Sequence, residues 1–231
     1  MKIDRKDNIK DIAPTLIEQF TDMTADPSVC DEYNKKKDIL RNRMGTANKY
    51  FFGHLHDSEI LSQRRTKNDV IIYLNDYAAL HFALALIKKK DIKINQNRLK
   101  FPVVIRAMGV KHFSVNKVNP SSGHIKKCKT FTSIGANYLY KEIIEWESNA
   151  VEIAFNYFKT KSYPDCNFLV LLSCEKILIK EKQETYWNKY FTGNYYKYYQ
   201  YFLSERNKLR FLSDYGLCEE LLNEIDESQR M

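Results

Sequence analysis

No stretch of this sequence is long and apolar enough to span a bilayer as a helix. The longest candidate, Ala78 to Ile87, is interrupted by His81 and falls well short of the roughly 20 residues needed. The opening Met1-Lys2-Ile3-Asp4-Arg5-Lys6-Asp7 has no apolar h-region, so no secretory signal is expected. Cysteine is sparse and poorly placed for cross-linking. Cys30, Cys128, Cys166, Cys174 and Cys218 are odd in number and form no C-x-x-C pair. That argues against a disulfide framework and a structural zinc knuckle, and it points to a reducing cytoplasm. Glycine-rich phosphate loops are missing: neither G-x-G-x-x-G nor G-x-x-x-x-G-K-[ST] occurs. No G-x-S-x-G elbow occurs either, and no cysteine sits in a nucleophile context. Catalysis therefore has little positive support, and no cofactor is expected.

The 231 residues that are present are 44% hydrophobic and 13% aromatic, a composition that builds a core and excludes a disordered chain. Their richness in Lys, Ile, Asn and Tyr is typical of AT-biased bacterial genes. The net charge of +8 is unevenly spread. Residues 1–32 carry 4 bases and 8 acids, residues 33–130 carry 21 bases and 6 acids, and residues 131–231 carry 12 bases and 15 acids. The middle thus holds a net +15 between two acidic ends. Either a face is built for an anionic partner, or the acidic ends fold back and cancel the field.

Periodicity predicts an α+β chain. Ile9, Ile12, Leu16, Ile17 and Phe20 recur at helical spacing. A second helix is expected from an N-cap at Ser28, burying Val29, Tyr33, Ile39, Leu40 and Met44 and ending at Gly45. Ser58 to Thr66 and Asp69 to Asn75 read as a hairpin across Lys67-Asn68, and Asp76 to Lys90 as a buried helix. Phe101 to Met108 and Lys111 to Val118 read as strands broken at Gly109, and Asn119 to Lys129 as an exposed loop. A further hairpin turns at Ser148-Asn149, its second strand carrying Val151, Ile153, Phe155 and Tyr157 on one face. Phe168 to Ser173 and Lys176 to Lys180 continue the sheet. We expect one domain: helical over 1–50, mainly antiparallel β over 51–182, helical over 183–231.

His54-Leu55-His56-Asp57 is the most suggestive string for chemistry. On an extended segment His54 and His56 point the same way, and Asp57 can add an oxygen ligand, so these three are the metal candidates. The competing reading is structural, with Asp57 or Ser58 capping the turn into the strand. Two nuclease-like patterns fail on geometry. Asp165 with adjacent Glu175-Lys176 would put carboxylate and lysine on opposite strand faces, and Arg106 with His112 falls on strand, not helix. For phosphate or acidic contact the candidates are Arg64, Arg65, Lys126, Lys127 and Lys129. Tyr195, Tyr198, Tyr199 and Phe202 form a helical stripe, which more often packs on protein than on bases.

Leu55-His56-Asp57-Ser58-Glu59-Ile60, followed by a polar turn and Val70-Ile71-Ile72-Tyr73-Leu74, resembles a group of uncharacterised bacterial proteins. In these, N-terminal helices precede a Leu-His-Asp-Ser start of a β-hairpin, and a later Tyr-Leu-Tyr-x-Glu strand leads into another. Here that strand is Tyr138-Leu139-Tyr140-Lys141-Glu142. The resemblance runs from Phe51 to about Lys180, with a poor match between Asp76 and Lys129. Similar domains occur among immunity-type proteins, which bind and block a cognate toxin. The resemblance implies a cytoplasmic binding protein without chemistry, its partner a toxin or other protein. Many immunity proteins against nucleases are acidic; this chain is basic, so its partner's surface should be acidic or neutral. Nucleic acid is the alternative partner, a metal-dependent hydrolase the third reading, and a membrane is not expected.

From Asp214 onward six acids and one base share a segment with Leu217, Leu221, Leu222 and Ile225 at helical spacing. Such a helix is expected to dock on its own domain, leucines inward and acids near the basic middle. Truncation after Ser213 should lower the melting temperature, mainly through lost apolar contacts, and should strengthen nonspecific nucleic-acid binding. An unchanged melt, with freely exchanging amides over the same segment in the full chain, would mark it instead as a free arm.

Overall fold

Alternation along the strands builds the core. On β7 (Val151–Lys159) the side chains of Val151, Ile153, Phe155 and Tyr157 point one way and are buried. On β8 (Cys166–Cys174) Phe168, Val170, Leu172 and Cys174 do the same. The computed structural model of the chain describes residues 8–89, 99–129, 135–159, 166–183 and 200–204, with 91, 93, 95, 96, 185 and 197 besides. It contains a nine-stranded, wholly antiparallel sheet with a few helices. The other strands are β1 (Ser58–Arg65), β2 (Asp69–Asn75), β3 (Pro102–Met108), β4 (His112–Val118), β5 (Ile125–Lys127), β6 (Asn137–Trp146) and β9 (Lys176–Glu181). Their order is β5-β4-β8-β7-β6-β1-β2-β3-β9.

That order closes on itself through two strand-to-strand joints. β3 runs into β4 through Gly109, and β8 runs into β9 through Glu175. Met108 pairs with Lys176 and His112 with Ser173, so one ladder continues through both joints with a small shift of register. Two backbone bonds carry it across: Glu175 N–H to Met108 O at 3.0 Å and Lys111 N–H to Ser173 O at 2.9 Å. Gly109 stands at φ +61 in the bend. Since β3 also pairs with β2, and β2 leads through β1, β6 and β7 back to β8, the sheet closes into a barrel-like circuit. Its shortest seam among the described residues is β1 with β6, where Ser58↔Tyr138 and Glu59↔Asn137 pair and Ile60 exchanges backbone bonds with Ala136 and Gly135.

The helices close what the sheet leaves open. α2 (Pro27–Met44) ends at Gly45, whose φ of +52 suits a residue without Cβ. Leu40 and Met44 from its last turns join Ala47, which starts the short α3 (Ala47–Lys49), and Tyr50, Phe51 and Leu55 in the inner core. Phe51 meets Trp146 edge to face at 5.8 Å, and Tyr50 donates to Glu181 Oε1 at 2.6 Å. α4 (Tyr77–Lys89) makes a second cluster, with Phe82, Leu86 and Ile87 against Leu99, Phe101 and Phe202. Phe202 therefore packs on α4; Tyr195, Tyr198, Tyr199 and the segment after Ser204 lie outside the described residues.

Several expectations need correction. The N-cap of α2 is Asp26, with Pro27 at the first helical position and Ser28 N–H donating to Asp26 Oδ1 at 2.9 Å. Ile39 is 54% exposed, because it falls on the side of α2 away from the sheet. The segment 119–129 contains β5, which pairs with β4. The first amphipathic run buries the five expected residues but splits into α1 (Ile9–Ile12) and a 3₁₀ turn (Pro14–Gln19). Proline lacks the N–H that would continue the α pattern.

That split run lies on the outer face of the sheet, against Ile144, Ala154, Leu169 and Leu171. Each buried side chain of this size contributes about 1.5–3 kcal/mol. Beneath it Glu142 accepts from Thr15 Oγ at 2.6 Å and Thr15 N–H at 3.0 Å. Burial raises the Glu142 pKa from 4.5 to about 6, against the opposing effect of the Thr15 bonds and Lys36. The folded state thus holds a proton in a window where the unfolded chain has released it. Stability should fall as pH rises through that window, by about 2 kcal/mol at most. Glu142→Gln should flatten the decline, measured by denaturant unfolding at a series of pH values.

Candidate binding surface

The histidine string does not form an extended segment. Tyr50–His54 is wound as a π turn, with Leu55 N–H donating to Tyr50 O at 3.1 Å, and the strand begins only at Ser58. The alternation that would have aligned His54 with His56 is therefore absent, and the His54 side chain lies outside the described residues. His56 meets the Tyr140 ring edge to face at 5.2 Å, and its Nδ1 is 3.0 Å from Asp57 Oδ2. His81, on the first turns of α4, stacks on Tyr77 at 3.9 Å. Partial burial lowers the His81 pKa, and the Asp57 carboxylate opposes that shift. Among the described residues no three of His, Cys, Asp and Glu converge as metal ligands.

Ser58, one of the two capping candidates, meets the start of a helix and not the turn into its own strand. Ser58 Oγ accepts from Tyr77 N–H at 3.2 Å, and Asp76 Oδ1 from Ala79 N–H at 3.0 Å, which together start α4.

Three of the basic candidates, distant in sequence, meet one strand: Arg65, Lys126 and Lys127. Arg64 and Arg65 end β1, and the Arg65 guanidinium lies 5.9 Å from the Phe113 ring centroid and 3.5 Å from its carbonyl oxygen. Lys126 and Lys127 lie on β5 opposite Lys117 and Asn116, and Cys128 N–H donates to Val115 O at 2.8 Å. Phe113, Val115, Asn116 and Lys117 are all on β4. Arg64, Arg65, Lys126, Lys127 and Lys129 are exposed, and among the described residues none has a carboxylate within ion-pair distance. Nearby Asp69 is occupied by Arg106, which donates to it from Nε and Nη2 at 2.8 and 2.6 Å.

Two features had no signal in any local motif. A pocket of about 570 Å³ opens between the end of α2, the β6–β7 turn and β9. Its lining mixes Arg43 and Lys176 with Glu147 and Glu175, and Arg43 pairs with Glu147. The second is a ring of cations around Phe52, formed by Lys37 and Arg41 of α2 and Lys141 of β6. Helical spacing alone places Lys37 and Arg41 on one face, but nothing local ties them to Lys141.

Comparison with protein-family models, with curated proteins and with solved structures finds no match to this chain.

Asp57 adopts φ +60, a conformation an L-residue with Cβ holds at a cost of about 1–2 kcal/mol that Asp partly offsets and Gly avoids. Asp57→Ala should therefore lower stability by about 1 kcal/mol, while Asp57→Gly should leave it unchanged or raise it. Equal losses in both variants, measured by urea unfolding, would assign the effect to the carboxylate and not to the backbone.

Proposed function

We propose that this chain is a non-catalytic, cytoplasmic interaction protein of the immunity type, which blocks an acidic protein surface by covering it. The contact face in this reading is the β4 edge met by Arg65, Lys126 and Lys127, with Arg64 and Lys129 their chain neighbours. The observation that carries it is the convergence of two separate basic segments on one strand, without neutralising carboxylates among the described residues. Exposed like charges at the rim of a contact speed encounter with a complementary surface and reject partners of the wrong sign.

A specific observation favours protein over single-stranded nucleic acid. Nonspecific strand binding needs aromatic faces on which bases stack beside the basic groove. Among the described residues the exposed aromatics are Tyr73 on β2 and Tyr140 on β6, and neither is on β4 or β5. Phe113, which is on β4, is buried and covered by Arg65. No helix of the described residues is long and apolar enough to cross a membrane.

A toxin-like gene beside the coding sequence would supply the partner to test. The purified pair should form a stable complex, and Arg65→Glu with Lys127→Glu should weaken it about ten-fold or more, mainly by slowing association. Parallel titrations with DNA and RNA should show weak binding at physiological salt that falls steeply as salt rises. Sub-micromolar affinity for a defined nucleic acid at that salt, lost in the same variant, would give the edge to nucleic acid and sink the immunity reading.

A further inference from the structure

Three positive charges are held around one aromatic ring. The Arg41 guanidinium lies 4.8 Å, Lys37 Nζ 5.5 Å and Lys141 Nζ 5.6 Å from the Phe52 centroid. A ring face attracts a cation, but it cancels no charge and does not screen one cation from the next. Counter-charge is thin. The Asp38 carboxylate is 3.8 Å from Arg41 Nη1, with a side chain 79% exposed, and Glu142, beside Lys141 on β6, is committed to Thr15.

The cluster is also not needed to hold α2 in place. Tyr33 OH accepts from Ile143 N–H at 3.0 Å, and Lys36 Nζ donates to Ile144 O at 2.5 Å, so two other residues already pin the helix to β6. An apolar residue at 141 would pack on Phe52 without the repulsion. Two signs of an unmet demand remain. Burial, then Lys37 and Arg41, push the Lys141 pKa down to about 8. The Nε of Arg41 is buried and finds no acceptor among the described residues. A ligand bearing two negative charges and several acceptor oxygens answers both.

We propose that Lys37, Arg41 and Lys141 form a binding site for a dianionic oxyanion, a phosphate or phosphate monoester, in the space their charged heads share beside Phe52. The planar guanidinium suits two oxygens of such a group at once, and the two ammonium groups act as point charges on the remainder. The site lies on α2 and β6 and is separate from the β4 edge.

Inorganic phosphate is the first probe, measured by calorimetric titration and by thermal melts in phosphate against chloride at matched ionic strength. Phosphate stabilises many proteins simply by exclusion from their surface, so the reading is the difference between parent and variants. Lys141→Met and Arg41→Gln should fold, should be at least as stable as the parent in chloride, and should bind phosphate about ten-fold or more weakly. Lys67→Glu, a surface charge change in the β1–β2 turn, should bind as the parent does. A short phosphoserine peptide, compared with its serine form, separates the sources: tighter binding than phosphate points to a protein-borne phosphate, equal binding to a free one. Variants that respond to phosphate as the parent does would overturn the proposal. So would a loss of stability in Lys141→Met that is the same in both buffers, which would make the cluster a structural clamp.

Discussion

The ladder that joins β3–β4 to β8–β9 is the interaction on which the rest of the molecule depends. Without it the strands would form an open sheet with two long edges, each offering unpaired N–H and C=O groups to other chains. With it the sheet turns back on itself, and the inward side chains of eight strands face a common interior. The bend is tolerated because Gly109 takes a left-handed conformation where both long strands change direction. Adding a Cβ there would also press on the Glu175 side chain, whose nearest atoms would be 2.5 Å away.

Closure in turn decides where helices can go. The inner face is occupied by strand side chains, so α2 contributes only its last turns, which fill one end beside Trp146 and Ile177. The N-terminal run finds its place on the outside, over β6, β7 and β8. Its docking is fixed at both ends by polar contacts. Asn8 Nδ2 donates to Ser122 O at 2.8 Å, Ile9 N–H to Gly123 O at 3.0 Å, and Asn167 Nδ2 to Gln19 O at 2.9 Å. Gly123 leaves no room for a side chain, since a Cβ would lie 2.8 Å from Asn8 Oδ1.

Local features of this fold were legible in the sequence because local chemistry dictates them. Strict alternation from Val151 to Tyr157, the Lys67-Asn68 turn and the apolar run of α4 each determine their own structure within a few residues. The three residues of β5 carried no readable period and sat in a Pro-Ser-Ser-Gly context, so their strand character comes from the free edge of β4. The π turn at Tyr50–His54 was hidden for a similar reason: two histidines at alternate positions fit an extended chain as well as a wound one. The basic residues at 64–65 and 126–129 were visible one by one, but their common strand was not. The Phe52 cluster was not visible at all, since it joins α2 to β6 across most of the N-terminal half. Apart from the π turn and β5, what escaped reading depends on contacts between segments far apart in the chain.

The same ladder sets a timetable. Hairpins β1–β2 and β6–β7 can form as soon as their turns leave the ribosome, because their partners are sequence neighbours. The closing pairs, from Asn116↔Leu169 to Val103↔Glu181, tie together segments made far apart in time. β3 and β4 must therefore wait, one edge of each open, until β8 and β9 emerge. During that interval β5, with lysines at two of its three positions, lies along the exposed side of β4. Charge on a waiting edge discourages pairing with another nascent chain. The lysines of β5 would thus serve twice, guarding an edge during synthesis and charging the surface of the finished barrel.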